Sequence, residues 1–144
     1  MTEQSYTNHR RVHPLFHAVL LPILLLTTIG SIVNLVKSWG DHTRLYSASL
    51  IVVLSVCSLL ILFLCRSYGL KTQDRAIRAE ENLRHLALTG KLLDPRLDIR
   101  QTIALRFASD AELPALAART AQEKLPPDTI KQAIGNWRAD TYRI

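Results

Sequence analysis

His9, His13 and His17 are the residues of this sequence best suited to chemistry, three imidazoles spaced four residues apart. On one helix they would line up on a single face, and imidazole is the commonest transition-metal ligand and a frequent axial ligand of haem. Pro14 works against that alignment. Proline favours the first helical position, so a helix opening there leaves His9 and His13 outside the regular spacing and His17 alone at its entrance, better served by a hydrogen bond than by a metal. His42 and His85 are isolated. Cys57 and Cys65 are the only cysteines, and both fall inside or at the edge of an apolar run, where they read as small hydrophobes rather than as a disulfide or zinc pair. The sequence holds no nucleophile–base spacing, paired carboxylates, glycine-rich phosphate loop or HExxH motif. It therefore points to no enzyme, no bound metal and no cofactor. A helix-turn-helix use of Lys131, Gln132 and Arg138 is set aside as well: Glu123 and Asp128 guard that helix, and the positive charge is spread rather than striped, so no nucleic acid is expected.

The elements that carry these residues are more informative. Of the 144 residues 48% are hydrophobic, and the apolar ones concentrate between Leu15 and Cys65. The run Leu15 to Val36 has 22 residues and no Lys, Arg, Asp or Glu; the run Leu45 to Cys65 has 21 and no charge at all. At about 1.5 Å per residue either one spans a hydrocarbon core of roughly 30 Å. A chain this short has too little remaining sequence to hide two such helices from water. The expected fold is all-α: a two-helix transmembrane hairpin followed by a cytoplasmic tail of three to four short helices. The domain reading is a polar N-terminal segment at 1–14, the hairpin at 15–65 (helices about 15–36 and 45–65), a basic juxtamembrane helix at 66–93 and a small three-helix domain at 94–144. The first run is too long, and too polar in its N-terminal flank, for a cleaved signal peptide, and it is expected to stay as an anchor. No charge lies deep in either span, which argues against an ion or proton path.

Lys and Arg number 18 against 12 Asp and Glu, a net charge of +6. Arg10 and Arg11 precede the first run, and Arg66, Lys71, Arg75, Arg78 and Arg84 follow the second. The connection KSWGDHTR holds only Lys37 and Arg44. The positive-inside rule then puts both termini in the cytoplasm, with Trp39, Tyr46 and Tyr68 as interfacial aromatics. Arg66, Lys71, Arg75 and Arg78 are the residues expected at an anionic membrane surface, unless they form no more than a solvated helix face.

A short connection makes the two apolar helices antiparallel neighbours. Thr27, Gly30, Ser31 and Asn34 form one stripe of the first; Ala48, Ser55 and Ser58 can share a face of the second, with Asn34 near Ser47 and Thr27 near Ser55 in depth. Small and hydroxyl residues let helices approach and hydrogen-bond in lipid, so this stripe either closes the hairpin or docks another protein's helix. Pro22 calls for a kink or for local accommodation. In the tail, Ser67-Tyr68-Gly69 reads as a hinge and Leu70 to Leu88 as a helix stopped by Gly90; this helix either continues from the membrane as a stalk or lies along the headgroups. Asp94-Pro95 opens a helix with Ile99, Ile103 and Phe107. Ser109 to Glu112 reads as a capping box before Leu113, Leu116, Ala117, Thr120 and Ala121. Pro126-Pro127-Asp128 opens the last helix, with Ile130, Ala133, Ile134 and Trp137 at helical spacing. Phe107, Leu116, Ile130, Ile134 and Trp137 are the expected cytoplasmic core.

QSYTNHRRVHPLFH running into LPILLLTTIGSIVNLV, with LKTQDRAIRAEENLRHLALTGKLLDPRL, ALRFASDAELPAL and IKQAIGNWRADTYRI further on, resembles a family of small bacterial two-transmembrane-helix proteins of unknown function. The resemblance implies the bacterial inner (plasma) membrane and supplies no catalytic residues. Residues and resemblance together favour a non-catalytic accessory or scaffold subunit of a larger inner-membrane complex, a respiratory or photosynthetic one being the first candidate, with the lipid bilayer and other membrane subunits as partners. One alternative is a self-associating membrane protein whose basic tail recruits a cytoplasmic partner or anionic lipid; another is a haem- or metal-binding electron-transfer subunit using the N-terminal histidines. The second run offers no histidine or methionine as an opposing axial ligand. The purified protein is accordingly expected to show no Soret band and no stoichiometric iron, copper or zinc, and His13→Ala with His17→Ala should leave its abundance unchanged. Bound metal or haem that disappears in the double variant would establish the electron-transfer reading instead.

Overall fold

The computed structural model describes residues 4–8 and 13–140. Its elements are α1 (Leu15–Lys37, with π-helical winding over Leu15–Leu20), α2 (His42–Thr89), α3 (Ile99–Leu105), α4 (Leu113–Glu123) and α5 (Pro127–Gln132). Among the described residues there is no strand, only an isolated antiparallel bridge between Ala108 and Trp137. The fold is all-helical. It divides into two compact units, Arg11–Gly69 and a second made of Leu70–Ile144 with Met1–Arg10.

In the first unit, Pro22 explains the widened winding. Its ring has no N–H to give to the carbonyl four residues back, and the preceding turn takes i→i+5 bonds, with Leu21 N–H donating to Phe16 O. Proline is thus absorbed as a π-turn. Ser38 ends α1 by donating from Oγ to Asn34 O at 2.8 Å. Gly40, at φ +99°, turns the chain. Asp41 Oδ1 then accepts from the backbone N–H of Thr43 and Arg44 at 3.1 and 3.2 Å, capping α2. Both α1 and α2 are long and apolar enough to cross a membrane, and only 11% of the most apolar stretch of each is buried.

The helix count departs from the sequence reading because α2 does not break. It runs 48 residues through Ser67-Tyr68-Gly69, where a hinge is expected, and includes the segment read as a separate juxtamembrane helix. A lone glycine costs a helix only about 1 kcal/mol, and no proline or left-handed residue stops it before Gly90 at φ +73°.

In the second unit, α3 packs against α4 and α5 around Leu93, Leu97, Ala104, Leu105, Phe107, Ala108, Leu113, Leu116, Ala117, Ala121, Ile130 and Ile134. Three local readings change here. Asp94-Pro95 forms a turn instead of a helix start, and α3 opens four residues later on a capping box. Gln101 N–H donates to Asp98 Oδ1 at 2.7 Å, and Asp98 N–H to Gln101 Oε1 at 2.9 Å. Ser109–Glu112 is not a capping box: the Ser109 carbonyl, not its hydroxyl, accepts from Glu112 and Leu113. The last helix ends at Gln132, so Trp137 lies beyond it, bridged to Ala108 with its ring 5.0 Å from that of Phe107. Gly135 lies against the Glu112 carboxylate. A Cβ at that position would lie 2.9 Å from Glu112 Oε1, and the same carboxylate accepts from Asn136 N–H at 3.1 Å.

Phe107 is 1% exposed at the centre of this core. Truncating such an aromatic costs ~3 to 5 kcal/mol through lost burial and the cavity left behind. Denaturation of the full chain in mild detergent, read from Trp137 after Trp39→Phe, should show Phe107→Ala losing stability in that range. A Phe107→Ala protein as stable as its parent would refute the packed core.

Candidate functional site

Two arrangements bring together side chains that the sequence keeps apart. The first lies between α1 and α2 within the unit Arg11–Gly69. Ser31 and Ser55, each 5% exposed, meet with their Oγ atoms 3.1 Å apart. Each hydroxyl also reaches a carbonyl of its own helix, Thr28 O at 2.8 Å and Val52 O at 2.9 Å. A hydroxyl has one proton, so at any moment one serine bonds its own helix while accepting from the other. The covered positions follow a three-four spacing on both helices: Leu21, Leu24, Thr28, Ser31, Leu35 and Ser38 on α1, and Leu45, Ala48, Val52, Ser55, Leu59, Leu62 and Arg66 on α2. That is the period of an antiparallel helix seam.

Of the stripe read from the sequence, only Ser31 enters this seam. Thr27 is exposed and bonds Ile23 O of its own helix at 2.8 Å, Asn34 is exposed, and a Cβ on Gly30 would meet nothing within 4 Å. On α2, Ser55 is in the seam, Ser58 is half-buried at its margin and Ser47 is exposed. The depth pairing moves by one helical turn, since Ser31 rather than Thr27 meets Ser55. Arg66 closes the open end of the hairpin with its guanidinium 5.3 Å from the Phe16 ring centre, a cation–π contact. Lys71, Arg75 and Arg78 are exposed on α2.

The second arrangement, which the sequence reading missed, is an ion network built around the buried Glu81–Arg84 pair. Glu81, 5% exposed, and Arg84 project from α2 toward the α3–α4 connection. Arg84 donates from Nη1 to Glu81 Oε2 at 3.0 Å, from Nε to Asp110 Oδ1 at 2.7 Å and from Nη2 to Ala108 O at 2.7 Å. Arg138 lies 3.7 Å from the other Glu81 oxygen. Beside it Arg106 Nε stands 3.0 Å from Asp140 Oδ2, its guanidinium 4.5 Å from the Phe107 ring centre. Three arginines thus face three carboxylates. Two hydrogen bonds bring the N-terminal segment to the same unit: Asp140 N–H to Gln4 Oε1 at 2.7 Å, and Gln132 Nε2 to the Tyr6 hydroxyl at 3.4 Å.

His9 lies outside the described residues. His17 Nδ1 sits 3.1 Å from His13 O, and since a carbonyl only accepts, that nitrogen carries the proton. His85 Nδ1 likewise donates to Lys91 O at 2.7 Å. Among the described residues no three His, Cys, Asp or Glu side chains are placed to hold a metal ion. The Arg96 guanidinium, hydrogen-bonded to Asp94, holds that carboxyl at about 2, below its ordinary 3.8. The stabilisation from this depressed group is present above pH 4 and is lost as the pH falls toward 2.

These arrangements suit binding and positioning. The profile of a family of unknown function, DUF6526, matches residues 1–144. The chain belongs to DUF6526. That agrees with the unknown-function family the sequence resembles, and DUF6526 brings no assigned activity with it. No curated protein and no solved structure matches the chain.

The network generates a sharp expectation. Removing one partner of a buried ion pair strands the other charge and costs about 3 to 5 kcal/mol, whereas replacing both by apolar groups costs far less. Arg84→Met should therefore destabilise the second unit more than Arg84→Met combined with Glu81→Leu, as measured by hydrogen exchange at α3 and α4. Equal losses would mean that Glu81 is not the charge left behind.

Proposed function

We propose that this protein is a non-catalytic accessory or scaffold subunit of a larger inner-membrane assembly, anchored by α1 and the first half of α2 as a transmembrane hairpin. The observation that carries the reading is the exposure of the two apolar helices, with 11% of each most apolar stretch buried. A core helix of a water-soluble protein is mostly buried. These helices present Leu26, Ile29, Val36, Leu54, Leu60 and Ile61, all more than half exposed, on the sides away from their seam. Lipid is the solvent in which that surface is stable, and the unbroken helices satisfy their backbone groups internally.

The charge distribution supports cytoplasmic termini. Two spans return the chain to the side it left, and the hydrogen bonds that Asp140 N–H and Gln132 Nε2 donate to Gln4 and Tyr6 are consistent with both ends sharing one compartment. Trp39, 83% exposed at the turn, suits the opposite interface. The scaffold role rests on two features: the unit beyond the anchor is a packed helical domain with surface for partners, and two spans are too few to enclose a path on their own.

Three measurements on native membranes test this. The protein should stay in the membrane pellet after alkaline carbonate. In a background of Cys57→Ser and Cys65→Ser, cysteine at Ser38 should react with an impermeant thiol reagent from the periplasm, and cysteine at Arg119 should react only after lysis. Mild-detergent purification should bring other subunits along in fixed ratio. Carbonate extraction overturns the anchor, reversed labelling overturns the orientation, and purification without companions overturns the scaffold role.

A further inference from the structure

The half of α2 that follows the apolar run has two opposite faces. Ile77, Glu81 and Arg84 turn into the unit formed with α3–α5 and are buried or nearly so. At 100° per residue, Ala76, Ala79, Leu83 and Leu86 lie on the other side, and all four are exposed, Leu83 by 67% and Leu86 by 39%. Their spacing of three, four and three residues is that of a helix–helix seam, so the tail domain leaves unpartnered a stripe that its own core does not use.

The charges beside the stripe indicate what covers it. Taking Ala76 and Leu83 as a positions and Ala79 and Leu86 as d positions, Arg75 falls at g on one flank and Glu80 at e on the other. In a parallel pair of helices the g residue of one chain meets the residue five positions further along the other, at e. Five positions beyond Arg75 is Glu80. Both are exposed, and no ion-pair partner is found for either within the chain among the described residues. An antiparallel pairing matches g with g and e with e, bringing arginine to arginine and glutamate to glutamate.

We infer that the exposed stripe Ala76, Ala79, Leu83 and Leu86 is the seam of a parallel homodimer, closed on both flanks by Arg75 of one copy and Glu80 of the other. The inference rests on the membrane anchoring proposed above: this segment continues the apolar half of α2 as one helix, so copies inserted in the same sense in one bilayer carry it in the same direction and a twofold pairing is parallel. Anchoring also explains how so short a seam suffices. Two Ala and two Leu per chain would hold isolated helices together poorly, but confinement to a membrane raises the effective concentration of one copy about the other.

A parallel homodimer places identical a and d residues opposite each other, and same-residue disulfides report that geometry directly. In native membranes of the full chain carrying Cys57→Ser and Cys65→Ser, Ala79→Cys and Leu83→Cys should each form a disulfide-linked dimer on mild oxidation. Arg78→Cys, off the stripe, should form little. Arg75→Glu alone and Glu80→Arg alone should each lower the yield at Leu83→Cys, by roughly fivefold to tenfold given two pairs per dimer, and the two together should restore it. Retention in carbonate-washed membranes is measured on the same samples. Loss from the pellet defeats the anchoring; retention with no cross-link at residues 79 and 83, or with no rescue in the double reversal, defeats the dimer and leaves the anchoring standing.

Discussion

The helical unit beyond the apolar hairpin is organised by the guanidinium of Arg84. A connection between two short helices would ordinarily present its carbonyls to water, yet Ala108 lies in the core and is fully buried. Arg84 reaches across from α2 to accept that geometry, donating to Ala108 O at 2.7 Å while holding Asp110 and Glu81 on its other edges. The planar fork is suited to this, since its donors point in fixed directions and all find acceptors at once. Once residues 106–110 are held, the bridge from Ala108 to Trp137 can form. Trp137 then reaches Phe107, and Glu112 can catch the Asn136 N–H where Gly135 leaves room. Burying ions is expensive, and an apolar contact of equal volume can be as stable. What the ion network supplies is a set of directional contacts, with separate donors of Arg84 on Glu81, Asp110 and Ala108 O.

The hairpin is organised on different terms. Its exposed sides are as apolar as its seam, so burial of oily surface cannot distinguish one helix face from another in a lipid setting, and size and hydrogen bonding decide instead. Ala48, 1% exposed, and the Ser31–Ser55 contact both lie in the seam. Gly30, the smallest residue of α1, looks outward into open space. Smallness at a position is therefore not enough to place it at a contact.

The contrast shows what the sequence can express. Two runs of more than twenty residues without internal charge were legible as long apolar helices, and both are helical throughout. The apolar positions of the tail were legible for a similar reason: Phe107, Leu116, Ile130 and Ile134 recur at helical spacing, and all lie in the core. Helix ends were harder. Asp94-Pro95 and Ser109–Glu112 both carry capping chemistry, but so does Asp98–Gln101, and choosing among three overlapping signals needs tertiary contacts that a local pattern does not contain. Trp137 continues the period of Ile130 and Ile134, yet α5 ends at Gln132, and a helical period survives in the sequence after the helix has gone. The ion network left the weakest trace. Glu81 and Arg84 at i, i+3 look like any solvated pair, and only the arrival of Ala108 and Asp110 reveals that they are buried.

The network also determines where the excess charge can act. Glu81, Asp110 and Asp140 cancel Arg84, Arg106 and Arg138, so the net +6 of the chain is carried entirely by residues outside it. Lys71, Arg75 and Arg78, exposed on α2 just beyond the last apolar residues, contribute three of those charges. They are followed at once by Glu80, the first exposed acid after them, and Arg75 and Glu80 flank the apolar stripe that lies opposite Glu81 and Arg84. Buried ions on one side of the helix thus fix the tail, while Arg75 and Glu80 are exposed beside the apolar stripe. A helix loaded with cations on every face would serve an anionic surface without discrimination; one that sets a single acid across an apolar stripe from its arginines has the polarity to recognise a partner in register.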